Sequence, residues 1–180
     1  MIENVTDKQL YHITRKPNPK GYAVGDVLET SEEGYNKFFG DYDVQDMSAL
    51  SNPAAVTQGL TYYWHFARET AFEDVRKQDY SEYPSRQRCL WLSGNSNIDN
   101  WILEMGFNPS THQILELNLE GNLFKCDSTF VNGKPRSLNT VRENARRYWN
   151  QEIVDENKIE YLFEGKATVR NIMKITIKPI

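Results

Sequence analysis

The sequence is short of several things at once. It has two cysteines in 180 residues, Cys89 and Cys126. They sit far apart in sequence, and a disulfide or a catalytic thiol is the alternative to the reading that follows. Each sits in an apolar, strand-like context, which reads as a buried free thiol in a reducing compartment. No apolar run approaches the ~18 residues of a spanning helix, and the N-terminus lacks a signal-peptide core. The expectation is a cytoplasmic protein with no membrane partner. Basic charge is not in excess either. The formal net charge is −4, so no overall field draws the chain to nucleic acid. There is no glycine-rich phosphate loop of the Walker or dinucleotide type, no His-Glu-x-x-His and no Cys-x-x-Cys. No internal repeat or low-complexity tract interrupts the chain.

What is present is a soluble-looking composition with 39% apolar and 26% charged residues and 12% aromatics. That aromatic share supplies large buried areas and pocket walls. The length suits one domain with a real core, here residues 1–180 taken as a single unit. The central stretch Gly59–Ser93 carries the strongest pattern. A helix from about Leu60 to Gln78 has an apolar face of Leu60, Tyr63, Trp64, Ala67, Ala71 and Val75. Its other face carries His65, Glu69, Phe72, Glu73 and Arg76. Tyr83-Pro84-Ser85 breaks the helix, and a strand from Arg86 to Ser93 follows, its Cys89-Leu90-Trp91-Leu92 too apolar for the surface.

Either side of this stretch lie strands and short helices. Leu10–Arg15 alternates as a first strand, which turns at Lys16–Gly21. Tyr22–Leu28 contains a small extended piece. Thr30-Ser31-Glu32-Glu33 opens a short helix to Gly40, and Asp41–Pro53 reads as a loop. A helix over Ile98–Met105 buries Ile98, Trp101, Ile102 and Met105, and Gly106 closes it. Gln113–Leu119 and Leu123–Cys126 read as two strands joined by a hairpin turn at Glu120-Gly121-Asn122. Val131–Lys134 is a turn or loop. A helix capped by Asn139 or Thr140 presents Val141, Ala145, Tyr148 and Trp149. Ile159–Phe163 and Ala167–Ile177 are the last strands, with a tight turn at Glu164-Gly165-Lys166. Strands flank central helices, which predicts an α+β domain: two small antiparallel-rich sheets around a long central helix.

Several groups have chemical potential. His65, Glu69 and Glu73 are spaced four apart and could share a metal ion. The competing reading is an ion-paired helix face, with Arg76 beside Glu73. His12 alternates with Tyr11 and Ile13, and a strand histidine is most often a satisfied, half-buried residue. Arg86 and Arg88 share one face of their strand in this reading. They would hold a phosphate or carboxylate, or else pair with Glu69, Glu73 or Asp79. Glu160 lies inside the apolar strand Ile159–Phe163, where a carboxylate needs a partner or a task.

Three of these pieces resemble ADP-ribosyltransferase-like domains. Leu10-Tyr11-His12-Ile13-Thr14 is similar to their first-strand histidine motif. Ser85-Arg86 leading into Leu90-Trp91-Leu92-Ser93 is similar to their next core strand. Glu160-Tyr161-Leu162 before a turn and a final strand is similar to their glutamate-bearing strand. The whole chain also resembles an uncharacterised family of small bacterial proteins, through Arg68-Glu69, Glu73 and Pro84-Ser85-Arg86, and that likeness carries no known activity. The transferase resemblance implies that NAD lies between two small sheets as substrate. It implies His12 on a ribose, Glu160 on the nicotinamide ribose as catalytic carboxylate and Arg86 on the pyrophosphate, with Arg88 beside it. Trp91, Tyr62 or Tyr63 would stack on nicotinamide. Loss of nicotinamide leaves an oxocarbenium-like carbon that a carboxylate stabilises. Two features depart from that pattern. Lys158 stands where a glutamate or glutamine precedes the catalytic acid, and no mid-chain tyrosine pair is evident. The acceptor therefore stays open between a nucleic acid and a small molecule, as does an inactive enzyme.

Three functions follow. The first is NAD cleavage. The second is a non-catalytic nucleotide- or protein-binding domain using Arg86, Arg88, Glu69 and Glu73. The third is a nucleic-acid module using Arg142, Arg146 and Arg147 with Tyr148 and Trp149, which the acidic total argues against.

Overall fold

Two long strands that the sequence pattern divides into four pieces form the centre of the molecule. A computed structural model describes residues 1–30, 35 and 53–173. In it β4 (His112–Asp127) and β5 (Ile159–Ile172) are each one continuous strand, and they pair antiparallel over Leu115–Asp127 with one irregularity between Glu116 and Leu117. Gly121 and Gly165 are therefore not hairpin turns. They face each other in register, with φ of 151° and 145°. A Cβ on Gly121 would come within 2.4 Å of the Glu164 carbonyl oxygen, and one on Gly165 within 2.4 Å of that of Glu120. The two glycines let the ladder bend while the backbones stay close, a use of glycine that a local turn signal imitates.

β1 (Glu3–Arg15) pairs with β4, with an irregularity at Asp7, whose φ is 64°. On the far edge of β5, β3 (Leu90–Leu92) pairs with Tyr161–Phe163 and β2 (Val27–Glu29) with Lys166–Thr168. Tyr11 and Ser93 then exchange backbone hydrogen bonds of 2.9 and 2.8 Å. The sheet thus curls until β1 meets the end of β3. One five-stranded antiparallel sheet replaces the two expected, because continuity of β4 and β5 joins the halves that two hairpins would have separated.

The inner side of the curl is packed by Leu10, Leu90, Leu117, Leu123, Phe163 and Val169 among others. Two helices cover the outer side. They are α1 (Pro53–Asp79) and α3 (Leu138–Trp149), which bury Phe72, Val75, Tyr148 and Trp149 against Phe124 and Leu162. The Trp149 indole donates to the Phe72 carbonyl at 3.0 Å. Both faces of β4 and β5 are covered, so neighbours such as Leu123 and Phe124 are both buried. The short helix α2 (Ile98–Glu104) closes one end with Ile13 and Ile114.

Most helix assignments agree with the pattern. The stripe Val141, Ala145, Tyr148 and Trp149 is buried. Ser137, two residues earlier than expected, caps α3 by accepting from the Thr140 N–H. α2 ends before Met105, with Gly106 at φ 59°; Met105, expected in its buried stripe, is exposed. Asn97, at the start of α2, makes no side-chain cap; its amide donates to the Glu156 and Ile159 carbonyls. α1 begins at Pro53, earlier than expected, and its apolar face is misjudged at one end. Leu60 and Tyr63 are exposed, while Ala71, Phe72 and Val75 are buried together with Glu69 and Glu73. The expected helix to Gly40 and most of the loop after it lie outside the described residues, as does the end of the last strand. No helix among the described residues is long and apolar enough to cross a membrane.

Candidate functional site

His12 is held in the middle of β1, opposite Leu115. Its Nδ1 lies 2.9 Å from the Trp91 carbonyl oxygen. A carbonyl only accepts, so Nδ1 carries the proton and Nε2 presents a bare lone pair. Nε2 is buried and has no hydrogen-bond partner among the described residues. Burial drives the His12 pKa down to about 4, only partly offset by the bond to Trp91. The ring is therefore neutral at physiological pH.

His12 lines a cavity of about 70 Å³ that opens to solvent. Tyr11, Trp91, Ser93 and Glu160 line it with Trp101 of α2 and Met105 just past the end of that helix. The sheet's closure makes this hollow, since β1 and β3 reach it only because Tyr11 and Ser93 pair. Its lining is almost wholly apolar and aromatic, the usual make-up of a small-molecule pocket with few oriented polar groups.

Behind the cavity lies a buried charge cluster. Arg86 Nη1 donates to Glu160 Oε1 at 2.5 Å, and Arg86 Nε donates to Glu69 Oε2 at 2.8 Å. Arg68 donates to the other oxygen of Glu69 at 2.9 Å. The Tyr148 hydroxyl donates to Glu160 Oε1 at 2.7 Å, and Arg86 also donates to that hydroxyl. Two guanidiniums and two carboxylates balance, as burial requires. Burial alone would raise the Glu69 pKa, but Arg86 and Arg68 outweigh it and hold the carboxyl below its usual range. Burial would likewise lower Arg86; Glu160 and Glu69 overturn that and raise it well above the ordinary value. Arg86 also packs its guanidinium 4.9 Å over the Trp91 ring, whose indole donates back to the Arg86 carbonyl at 3.1 Å.

The structure brings His12, Trp91 and Glu160 to one cavity. Arg86 supports that group through Glu160 and Trp91 without lining the cavity. Arg88 is not on Arg86's face: residues 86–88 form a turn, the strand starts only at Leu90, and Arg88 is exposed. Tyr63 is half exposed on α1, away from the cavity lining. Glu69 and Glu73 turn to arginines, Glu73 to Arg76 at 2.6 Å. Among the described residues no group of three or more His, Cys, Asp or Glu side chains could hold a metal ion. Tyr148 and Trp149 are fully buried, so the rings proposed for nucleic-acid stacking are closed off. Ser93, Trp101 and Tyr148 are site residues that sequence reasoning missed. Ser93 shares a strand face with Trp91, a signal that could have found it; Trp101 reads as core stripe, and Tyr148 as core stripe or a nucleic-acid ring.

A family sequence model described as "Protein of unknown function (DUF2441)" matches residues 10–175. The chain belongs to that family. The match includes His12, Arg86, Trp91 and Glu160, so cavity and charge cluster both fall within the family region. A search of curated proteins returns no match.

Proposed function

We propose that the cavity binds the ribose of a dinucleotide, NAD, and that the protein is an ADP-ribosyltransferase-like enzyme breaking the nicotinamide–ribose bond. The observation that carries this reading is His12 Nε2, a buried acceptor with no partner among the described residues, in an aromatic-walled hollow. A buried polar atom in that state calls for a donor from outside, and a sugar hydroxyl supplies one. Trp91 and Trp101 would offer ring faces to a base or nicotinamide. In the reaction the C1′–N bond breaks and its electron pair stays on nicotinamide. The positive C1′ is then met by water or another nucleophile, whose proton goes to solvent. Glu160 would stabilise the positive carbon through Oε2, the oxygen not engaged by Arg86 and Tyr148.

The second reading is a domain that binds a nucleotide in the same cavity without cleaving it. The double engagement of Glu160 Oε1 favours this alternative, because Arg86 already offsets the negative charge that cleavage would use. Thermal shift and nicotinamide release separate the two. A ligand at a hundredfold excess over Kd raises stability by ~2.7 kcal/mol. Cleavage predicts stabilisation by NAD and nicotinamide release that Glu160→Gln abolishes. Stabilisation without release leaves the binding domain. No stabilisation by NAD, ADP-ribose or nucleotides removes both.

A further inference from the structure

A second hollow lies between α1, the start of α3 and residues 130–136. It opens to solvent, and its enclosed part is about 10 Å³, room for one water-sized group. Trp64 and Arg68, one helical turn apart, form one wall, and Lys134, Arg136 and Asn144 face them. Among the described residues no carboxylate lines it. Trp64 Nε1 and Arg68 Nε are both buried and have no hydrogen-bond partner among the described residues. Each is a donor that can never accept. The other three indoles are satisfied: Trp91 on the Arg86 carbonyl, Trp101 on that of Ile159 and Trp149 on that of Phe72.

Two buried N–H groups without acceptors are costly to leave bare. Here they line one solvent-open hollow with two exposed cations, and its enclosed part has room for a single ligand oxygen, not for a nucleotide. We propose that this hollow binds one phosphate group, either as the free ion or as the end of a small phosphorylated molecule. Trp64 and Arg68 donate to its oxygens, and Lys134 and Arg136 supply the balancing charge. Gly133, at φ 118° with open space about it, lets the loop carrying Lys134 close on the anion. The site is separate from the His12 cavity and does not depend on NAD binding there. Arg68 is nevertheless bonded to Glu69, which is bonded in turn to Arg86.

The test is titration of the folded protein with inorganic phosphate at constant ionic strength, following the four indole N–H resonances by NMR. Trp64→Phe assigns the Trp64 signal. The expected result is a saturable shift of that signal, not reproduced by chloride, with affinity reduced at least tenfold in Lys134→Ala/Arg136→Ala. Both of those side chains are exposed, so the double variant keeps its fold. Ribose 5-phosphate binding tighter than phosphate supports the site with a phosphorylated small molecule as ligand; weaker binding supports it with the free ion. An unmoved Trp64 signal, a shift that chloride matches, or full affinity in the double variant overturns the proposal.

Discussion

Arg86 and Glu160 meet at 2.5 Å although 74 positions separate them in the chain. The same guanidinium holds Glu69 and lies over the Trp91 ring, and the Trp91 carbonyl holds His12. One arginine thus ties the long helix, the last strand and the wall of the cavity together. Arg86→Met should destabilise the fold by about 3–5 kcal/mol, since it strands two buried carboxylates. Arg86→Lys should restore little of this, because an ammonium cannot offer separate N–H edges to Glu69 and Glu160 while lying flat on an indole. Urea denaturation measures both, and a loss under about 1 kcal/mol for Arg86→Met would contradict the buried network.

Gly121→Ala and Gly165→Ala should each cost roughly 2–5 kcal/mol, from left-handed strain plus collision with the facing strand. Gly25 is the control. Its φ is 94° but nothing lies within 4 Å of a Cβ there, so Gly25→Ala should carry strain alone, about 1–2 kcal/mol. Equal losses at all three positions would mean that β4 and β5 are not pressed together at their bend.

His12 gives stability a dependence on pH. Its folded pKa, about 4, lies below the ordinary 6.5. The unfolded chain therefore takes up the proton first. The contribution is complete above the unfolded value and is lost as pH falls through the folded one. The loss between pH 7 and pH 4 should amount to about 3 kcal/mol. Comparing denaturation of the parent protein and His12→Gln across that range isolates it, and parallel curves would exclude a buried neutral ring. An NMR titration should show His12 staying neutral between pH 6 and 8.

Cys89 and Cys126 are free and buried. Burial pushes both thiols well above their usual range, and Arg86 nearby pulls each down without overcoming it. Neither should react with a disulfide reagent at neutral pH except through opening of the fold. Labelling rates should track global stability as urea is added. Fast labelling of either cysteine in native buffer would count against this packing.

Periodic signals along the chain were readable where local chemistry decides the outcome. Val141, Ala145, Tyr148 and Trp149 repeat at helical spacing, and that stripe became the buried face of α3. Glu73 and Arg76 pair one turn apart, as their spacing allows. Leu60 and Tyr63 fit the same helical pattern but are exposed, because periodicity reports a candidate face and not whether a partner covers it.

The chain alone determined that His12 sits in a strand, that Glu160 interrupts an apolar one and that helices fill the middle, since alternation and helical spacing are properties of neighbouring residues. Tertiary structure decided the rest. Glu-Gly-Asn and Glu-Gly-Lys look like turns singly and become a bend only when Gly121 meets Gly165. Arg86 and Arg88 look equivalent in sequence, yet one is buried between carboxylates and the other is exposed, because a turn replaces the strand that would have aligned them. His12, Trp91 and Glu160 share a cavity only because the curled sheet brings Tyr11 onto Ser93. A backbone hydrogen bond between residues so far apart leaves no trace in the local pattern of either.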